Sequence, residues 1–576
     1  MRPEYRRNLG YLLLVALMML AAGMGLRDPW PADEPRFALI ARDMADSGDW
    51  LFPRVGGVIY PDKPPLFFWL VAAFYKLTGS LRVAFLLPGV LAGIGTVWLV
   101  TDLARRLWDP KTAIWCGATL LAIVQFPLQM KSGQIDGLLC LWTTLGLYGF
   151  SRHLLMGPDW RWYAIGGIAA GLGVITKGVG FLPYLLFIPF AYGAVRRWPA
   201  LRLHRDWRWV MAPVLTLLVV AAWLVPMLMA AGDPAAPELA AYRDNILFHQ
   251  TITRYADPWG HIKPAWYLFT NAAPWLWLPV TLALPWLIPA WRRDIRSGNT
   301  PIMLLGAWIL LVLICFSLSD GKRSLYIFPA SPALALIAGF HAKDLLARAG
   351  VQRLLVALPL VLGSALVTVA MYALMNPHIA EKWAGDVITL VKTATALIAI
   401  GLLIVTVVLL TRRRRVLTGF ATALVVFWAG AGLFVAPALD ATRSGRGLIQ
   451  NVETRFGSDF EMGFAGWPEQ FVLQWNGSLT HFGYRRFDQQ AETFDAVQWL
   501  RASADRRLLL PEHWLEPCLD GPGVIEVGRA HRRNWVVASR DDLSEACARG
   551  DIQAPEIQVA YHRPTRRILR YAASNE

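Results

Sequence analysis

MRPEYRRNLGYLLLVALMML, residues 1–20, is a basic end followed by an unbroken apolar run. A secretory signal peptide has the same order, but with a shorter apolar run and a small-residue cleavage site behind it. Here the run is too long and no clear small-x-small site follows, so the stretch reads as a first membrane span with its basic end inside. Similar runs of about 20 residues, each enough to cross a bilayer as a helix, recur along the first three quarters of the chain.

Composition agrees with that reading. Of 576 residues, 55% are hydrophobic and 17% charged, Trp occurs 27 times, and the mean hydropathy is +0.39. A soluble chain of this length carries more charge. The net charge of +15 would suit nucleic-acid binding, but its placement does not. The basic clusters MRPEYRR, ARRLWDPK, VRRWPALRLHRDWR, WRRDIR, HAKDLLARAGVQR and TRRRR fall in every second short loop. That is the pattern of cytoplasmic loops, and it argues for membrane lipids as partners and no nucleic acid.

Thirteen spans are expected, at 9–27, 84–104, 112–130, 136–152, 162–176, 179–195, 209–230, 266–290, 301–318, 325–341, 353–375, 387–411 and 416–438. The N-terminus then lies inside and the C-terminus outside. The fold class is a polytopic α-helical membrane protein: a membrane domain over 1–438 and a soluble outward α/β domain over 439–576. In that tail RRLLLPE, GVIEVGR and NWVVASR read as strands, and AETFDAVQWLRASA and DDLSEACARGD as helices. Cys518 and Cys547 lie there, and an oxidising compartment would let them pair.

The spans are dry, and the charged groups gather in outward loops, the longest at 28–83 and 231–265. In WPADEPRFALIARDMADSGDW, Asp33 and Glu34 precede a helical pattern with Pro35 in its first turn. An aspartate there ordinarily caps the helix. Held above the membrane surface, it can instead orient an acceptor or take its proton. In YPDKPPL (60–66), the two prolines lock an extended backbone and fix Lys63 beside Tyr60 and Asp62. A positioned ammonium suits a phosphate. QMKSGQIDG adds Lys131 and Asp136, TKGVGFLP adds Lys177, and NILFHQTITRYADPWGHIKPAWYL adds Arg254 and His261. FSLSDGKRSLYIFPASPALAL adds Lys322, Arg323 and, one turn on, Tyr326. Convergent cations with acids at the membrane face fit a phosphate-bearing lipid. No nucleotide motif and no zinc signature appears, so the energy of any reaction would arrive with the lipid.

The ordered set DEPRFALIARDMADSGDW, YPDKPPLFFWL, KSGQIDG, TKG, R-Y…H…P-x-W-Y and FSLSDGKRSLYIFPASPALAL resembles the glycosyltransferase 39 type over about 28–340. These are GT-C membrane enzymes related to bacterial aminoarabinose (Ara4N) lipid A transferases and protein O-mannosyltransferases. The resemblance implies a GT-C fold in the bacterial inner membrane, an undecaprenyl-type polyprenyl-monophosphate sugar donor bound at the periplasmic face, and transfer with inversion to lipid A or another glycolipid or protein. It implies Asp33 as catalytic acid or base, with Glu34 beside it and Asp136 at the cavity. Lys63 and Tyr326 would hold the donor phosphate, with Tyr60, Arg254, Lys322 and Arg323 as helpers; Asp62, Lys177 and His261 are secondary candidates. Three positions depart from the family pattern: Asp62 replaces a Glu, Phe37 a Tyr, and Thr251 a metal-linked His. No cofactor is assigned, and a divalent metal stays open. The rival reading, a lipid flippase or transporter, would call for polar groups near the midplane of the spans.

Overall fold

The computed structural model describes residues 3–549 and 565–567, apart from 200, 202–205, 235, 249–261, 377, 379–384, 413–414, 468, 485–488, 516–517, 520 and 531–532. Among the described residues, six helices are long and apolar enough to cross a membrane, the longest being Val416–Arg443. A seventh span results if Leu268–Leu276 and Val280–Ser297, bent by 103°, are taken together.

The expected thirteen spans therefore do not all appear as long straight helices, and proline explains much of the difference. Pro279 sits at the 103° break. Pro183 and Pro329 lie in 3-10 turns, Leu182–Leu186 and Ser324–Ala330, which lead into the short helices Phe187–Val195 and Ser331–Gly339. Each proline removes a backbone donor and crowds the preceding turn. The 112–130 run is split as Pro110–Ala122 and Gln125–Met130 by an extended Ile123. Ile135–Met156 and Trp160–Lys177 are helices of 22 and 18 residues whose apolar character is diluted by Gly, Thr, Tyr and Arg.

Those last two helices place half of the polar site. A Cβ on Gly149 would strike the Trp162 carbonyl, and one on Gly166 would come within 2.6 Å of the Phe150 ring. Small residues thus let the two backbones touch, as in other membrane helix pairs. The helices are joined by a short turn and run antiparallel. Asp136, at the start of one, therefore meets Lys177, at the end of the other.

The loop over 28–83, expected from sequence to face outward, is not loose. Glu34–Ser47 is a helix; β1 (Arg54–Val55) and β2 (Val58–Ile59) form a tight hairpin; Leu66–Thr78 is a second helix. At about 1.5 Å per residue, 13 residues are too few to cross a bilayer.

After Arg446 the chain builds a helix, Arg446–Phe456, and a six-stranded mixed sheet in the order β6-β7-β5-β3-β4-β8. The strands are β3 (Glu461–Phe464), β4 (Leu479–His481), β5 (Arg506–Pro511), β6 (Ile525–Ala530), β7 (Arg533–Ala538) and β8 (Thr565–Arg567). β3 is parallel to β4 and β5, and the remaining pairings are antiparallel. Strands β5, β6 and β7 and the helices Gln489–Arg501 and Glu545–Arg549 fall on the segments read from sequence. β3, β4 and the helix Glu469–Gln474 were not foreseen. Cys518 and Cys547 are disulfide-bonded.

The sheet is joined to the 28–83 loop by one continuous core. Phe37, Ile40, Phe67 and Phe68 pack in the same buried cluster as Phe464, Phe471, Trp475 and Trp535. The β1–β2 turn closes that joint. His481 Nε2 lies 2.6 Å from the Gly56 carbonyl, and the Trp467 ring stacks edge-on against His481. Gly56 has φ +60°, and a Cβ there would fall 2.7 Å from Trp467 and 2.9 Å from His481. Gly56→Ala is therefore expected to destabilise the joint by at least about 1–2 kcal/mol, the cost of a left-handed backbone alone. Thermal unfolding of the detergent-purified protein, with limited proteolysis of the C-terminal unit, measures it; an unchanged melting temperature and digestion pattern would refute the packing argument.

Candidate active site

A cavity of about 660 Å³ opens between the 28–83 loop, the ends of the membrane helices and the turn after Leu318. One wall carries Asp33, Arg36, Tyr60, Asp62 and Lys63 from the first loop. The facing wall carries Asp136, Lys177, Arg323 and Tyr326. The lining also includes the apolar side chains of Val220, Trp223, Ile246 and Phe316. Residues from widely separated parts of the chain thus share one volume, lined by both charged and apolar side chains.

Asp33 occupies the N-cap position of Glu34–Ser47, but its side chain caps nothing. Its carbonyl accepts the Phe37 N–H at 3.0 Å, which leaves the carboxylate for the cavity. Among the described residues its ion-pair partner is Arg36, with Nη1 3.6 Å away. Arg36 Nε also donates to Glu469 of the C-terminal unit at 2.9 Å. Burial works against the Arg36 charge, but the neighbouring Tyr484 and Glu469 more than offset it and raise its affinity for its proton.

Glu34, expected beside Asp33 in the chemistry, is placed elsewhere. Its two oxygens take both nitrogens of the Arg27 fork, at 2.5 and 2.8 Å, and the N–H groups of Trp30 and Gly133, each at 2.9 Å. It is buried and does not line the cavity. Adjacent residues at the start of a helix point about 100° apart, and here Asp33 faces the cavity while Glu34 turns to Arg27. Glu34 ties the first loop to the turn before Ile135 instead. Asp28 makes a similar tie, pairing with Arg82 and Arg446 while its N–H is taken by Asp440.

The YPDKPPL loop holds Lys63 at the rim, where its Nζ donates to the Asp62 carbonyl at 3.1 Å. Pro65 caps the following helix, Leu66–Thr78. Tyr60 is buried, with its ring 6.1 Å from Phe68 and 6.0 Å from Tyr484. Burial, then Asp62 and Tyr484, push its hydroxyl well above the ordinary tyrosine range, so it stays a neutral donor. Opposite, Lys177 Nζ is 2.5 Å from Asp136 Oδ1 and 5.7 Å from the Tyr326 ring centre.

Lys322, paired with Arg323 in the sequence reading, separates from it. Arg323 lines the cavity, whereas Lys322 is buried and donates to the Lys263 carbonyl at 2.9 Å. The antiparallel bridge Ile262–Gly321 turns consecutive side chains opposite ways. Lys131 also stays out of the cavity: it donates to the Met19, Leu20 and Ala22 carbonyls at the end of the first helix. Burial and the Arg27 charge pull it down to about 8. Arg254 and His261 lie outside the described residues. Among the described residues no three His, Cys, Asp or Glu side chains are grouped to hold a metal ion. Arg36, Glu469 and Tyr484 were missed as site neighbours. Arg36 lay within a motif already singled out, but nothing local points to partners more than 430 residues away.

The chain is similar to known proteins both in sequence and in fold. The family model for dolichyl-phosphate-mannose-protein mannosyltransferases matches residues 62–225. The undecaprenyl phosphate-alpha-4-amino-4-deoxy-L-arabinose arabinosyl transferase of Pseudomonas aeruginosa (strain UCBPP-PA14) is 30% identical over 354 residues, covering 58% of this chain and 60% of the relative. The second such transferase of Sodalis glossinidius is 30% identical over 355 residues, covering 58% and 59%. The aligned region thus spans about three fifths of these relatives. ArnT from Cupriavidus metallidurans, solved bound to undecaprenyl phosphate, superposes with a TM-score of 0.66 over 92% of this chain and 97% of that one, at 20% identity. The Archaeoglobus fulgidus oligosaccharyltransferase in its apo form superposes at 0.50 over 88% and 69%, at 12% identity. The chain is similar in sequence to lipid-linked-sugar transferases and similar in fold to ArnT.

Proposed function

We propose that this chain is an integral-membrane glycosyltransferase that moves a sugar from a polyprenyl-monophosphate donor to lipid A or a related acceptor, with inversion. The observation that carries the proposal is the cavity that gathers Asp33, Lys63, Lys177, Arg323 and Tyr326 together with apolar side chains such as Val220, Trp223 and Phe316. The similarity to undecaprenyl phosphate-aminoarabinose transferases supports the donor class. The topology belongs to the same reading: thirteen membrane passages, some of them broken, with a cytoplasmic N-terminus and a soluble periplasmic unit after residue 438.

In the reaction, an acceptor oxygen attacks the anomeric carbon while the bond to the donor phosphate breaks, and polyprenyl monophosphate leaves. Negative charge grows on the departing phosphate. Cations already in place favour that transition state over the ground state. Lys63, fixed by Pro64 and Pro65, and Arg323 with Tyr326 on the other wall hold the phosphate. Asp136 keeps Lys177 oriented between itself and Tyr326. Asp33 sits on the acceptor side and takes the proton of a hydroxyl acceptor. A lipid A phosphate is already largely ionised at neutral pH, its second pKa being about 6, and Asp33 then orients it. The apolar side chains of the lining receive the donor's first isoprene units.

The test is mass spectrometry of lipid A from cells with and without the gene, complemented by wild type and by Asp33→Asn. The expected result is loss of a pentosamine- or hexose-sized increment on deletion, restored by wild type alone. Unchanged lipid A would overturn the acceptor. The match to the mannosyltransferase model would then direct the search to Ser and Thr of periplasmic proteins.

A further inference from the structure

Arg36 is shared between two carboxylates from opposite ends of the chain. Its Nε bonds Glu469 at 2.9 Å, and its Nη1 stands back from Asp33 at 3.6 Å. Asp33 and Arg36 both line the cavity, whereas Glu469 lies behind them. All three are partly screened from water, with side-chain exposures of 29%, 22% and 14% for Asp33, Arg36 and Glu469.

Glu469 is not free to follow Arg36. It opens the helix Glu469–Gln474, whose far end is gripped by the same helix that carries Arg36. Arg42 donates to the Val472 carbonyl at 3.3 Å and to the Leu473 carbonyl at 3.5 Å. Phe471 and Val472 of this short helix are buried in the shared core. Two arginines of Glu34–Ser47 thus hold both ends of Glu469–Gln474, and Glu469 is a fixed post. Tyr484 closes the other side of the guanidinium, which stands 5.8 Å above its ring.

An arginine released from that post has one near alternative. Asp33 is three residues back on the same helix face, within reach of a forked pair. Charge-assisted contacts of that kind close to about 2.7–2.9 Å. Such a pair would occupy the carboxylate oxygens that an acceptor must reach. We infer that Glu469 is a positioning residue, holding Arg36 off Asp33 so that the carboxylate stays open to the acceptor. The inference rests on the reading of Asp33 given above. It makes the C-terminal unit part of the active site rather than a cover over it. The charged and titratable groups that bear on Arg36 are Asp33, Glu469, Tyr484 and Tyr60.

The test is Glu469→Gln in the full-length protein in lipid nanodiscs. Glutamine keeps the shape and an acceptor oxygen but loses the charge. The expected result is a roughly tenfold fall in kcat, the effect of about 1.4 kcal/mol, with KM for the donor within about twofold. Melting temperature and protease resistance of the C-terminal unit stay unchanged. In the Asp33→Asn background, Glu469→Gln adds no further loss, because both act through one carboxylate. Unchanged kcat, an additive double mutant, or a fall matched by lost thermal stability would each overturn the inference. A cryo-EM structure of Glu469→Gln reads the same point without activity: Arg36 closes to about 3 Å from Asp33. A guanidinium still at its original distance refutes the positioning role. If the wild type transfers no sugar at all, the proposed function fails, and the variant structure still decides this inference.

Discussion

Asp33→Asn lowers kcat for a hydroxyl acceptor by about two to four orders of magnitude, the usual worth of a positioned general base, while the protein still inserts and folds. The two halves of that expectation come from one observation. The residue stands where a helix cap stands but makes no capping bond through its side chain. The fold therefore gains little from the carboxylate, and asparagine keeps its shape and can cap a helix itself. A partly exposed ion pair is worth about 0–1 kcal/mol, so its loss shifts stability by no more than that. The charge is what is lost. Arg36 then faces a neutral amide on one side and Glu469 on the other, and an acceptor hydroxyl loses the base proposed for it, while Asp136 is held by Lys177. The size of the loss reports the acceptor. An acceptor phosphate, ionised before it arrives, needs only orientation, and the fall shrinks to about tenfold, one charge-assisted contact. Single-turnover transfer from a synthetic polyprenyl-phosphate sugar to each acceptor class measures it. Turnover equal to wild type with both would remove Asp33 from the mechanism.

Much of this site was legible because the chain is otherwise dry. In a sequence with 17% charged residues, an Asp, a Lys and two prolines in one turn stand out, and so do Asp136 and Lys177 at helix ends. Stiff loops keep such residues near where the sequence puts them, and Asp33, Tyr60, Lys63, Asp136, Lys177, Arg323 and Tyr326 do meet around one cavity. Direction within a turn was not legible. Asp33 and Glu34 are neighbours in sequence but part company in space, as do Lys322 and Arg323, because a residue's partner decides which way it turns. Arg27 claims Glu34, and the Lys263 carbonyl claims Lys322. The membrane helices show a related loss. Hydropathy finds apolar runs, but it does not weigh one proline against twenty apolar neighbours, and Pro279 lies where one run turns by 103°. The union of the first loop with the sheet was out of reach for a simpler reason: its contacts pair residues more than 400 apart, and no local pattern encodes them.

Lys63→Met is expected to cut kcat by about two to three orders of magnitude, the range found when one fixed donor to a developing anion is removed. Methionine keeps much of the unbranched apolar stem and fills irregular space readily, so the loop loses a charge and little packing. The prolines make the difference between this lysine and an ordinary interfacial one. A lysine on a flexible loop would snorkel to water, and its loop would have to be ordered each time substrate binds, at a cost of about 1–2 kcal/mol of backbone freedom per residue fixed. Pro64 and Pro65 remove that freedom from the backbone in advance, so more of the Lys63 interaction is realised in the transition state. The kinetic signature follows from the charge on each state. The donor phosphodiester already carries one negative charge, and the leaving monophosphate gains another. Loss of Lys63 therefore costs kcat more than it costs donor affinity, and kcat/KM falls mainly through kcat. A uniform rise in KM with kcat intact would instead make Lys63 a docking contact for the lipid headgroup. Full activity would return the lysine to the status of a snorkelling cation and leave the stiffness of its loop without a catalytic reason. Replacing both prolines by alanine in the wild-type background gives the complementary measurement. The ammonium is then present but unordered, and an intermediate loss of kcat separates the contribution of its charge from that of its placement.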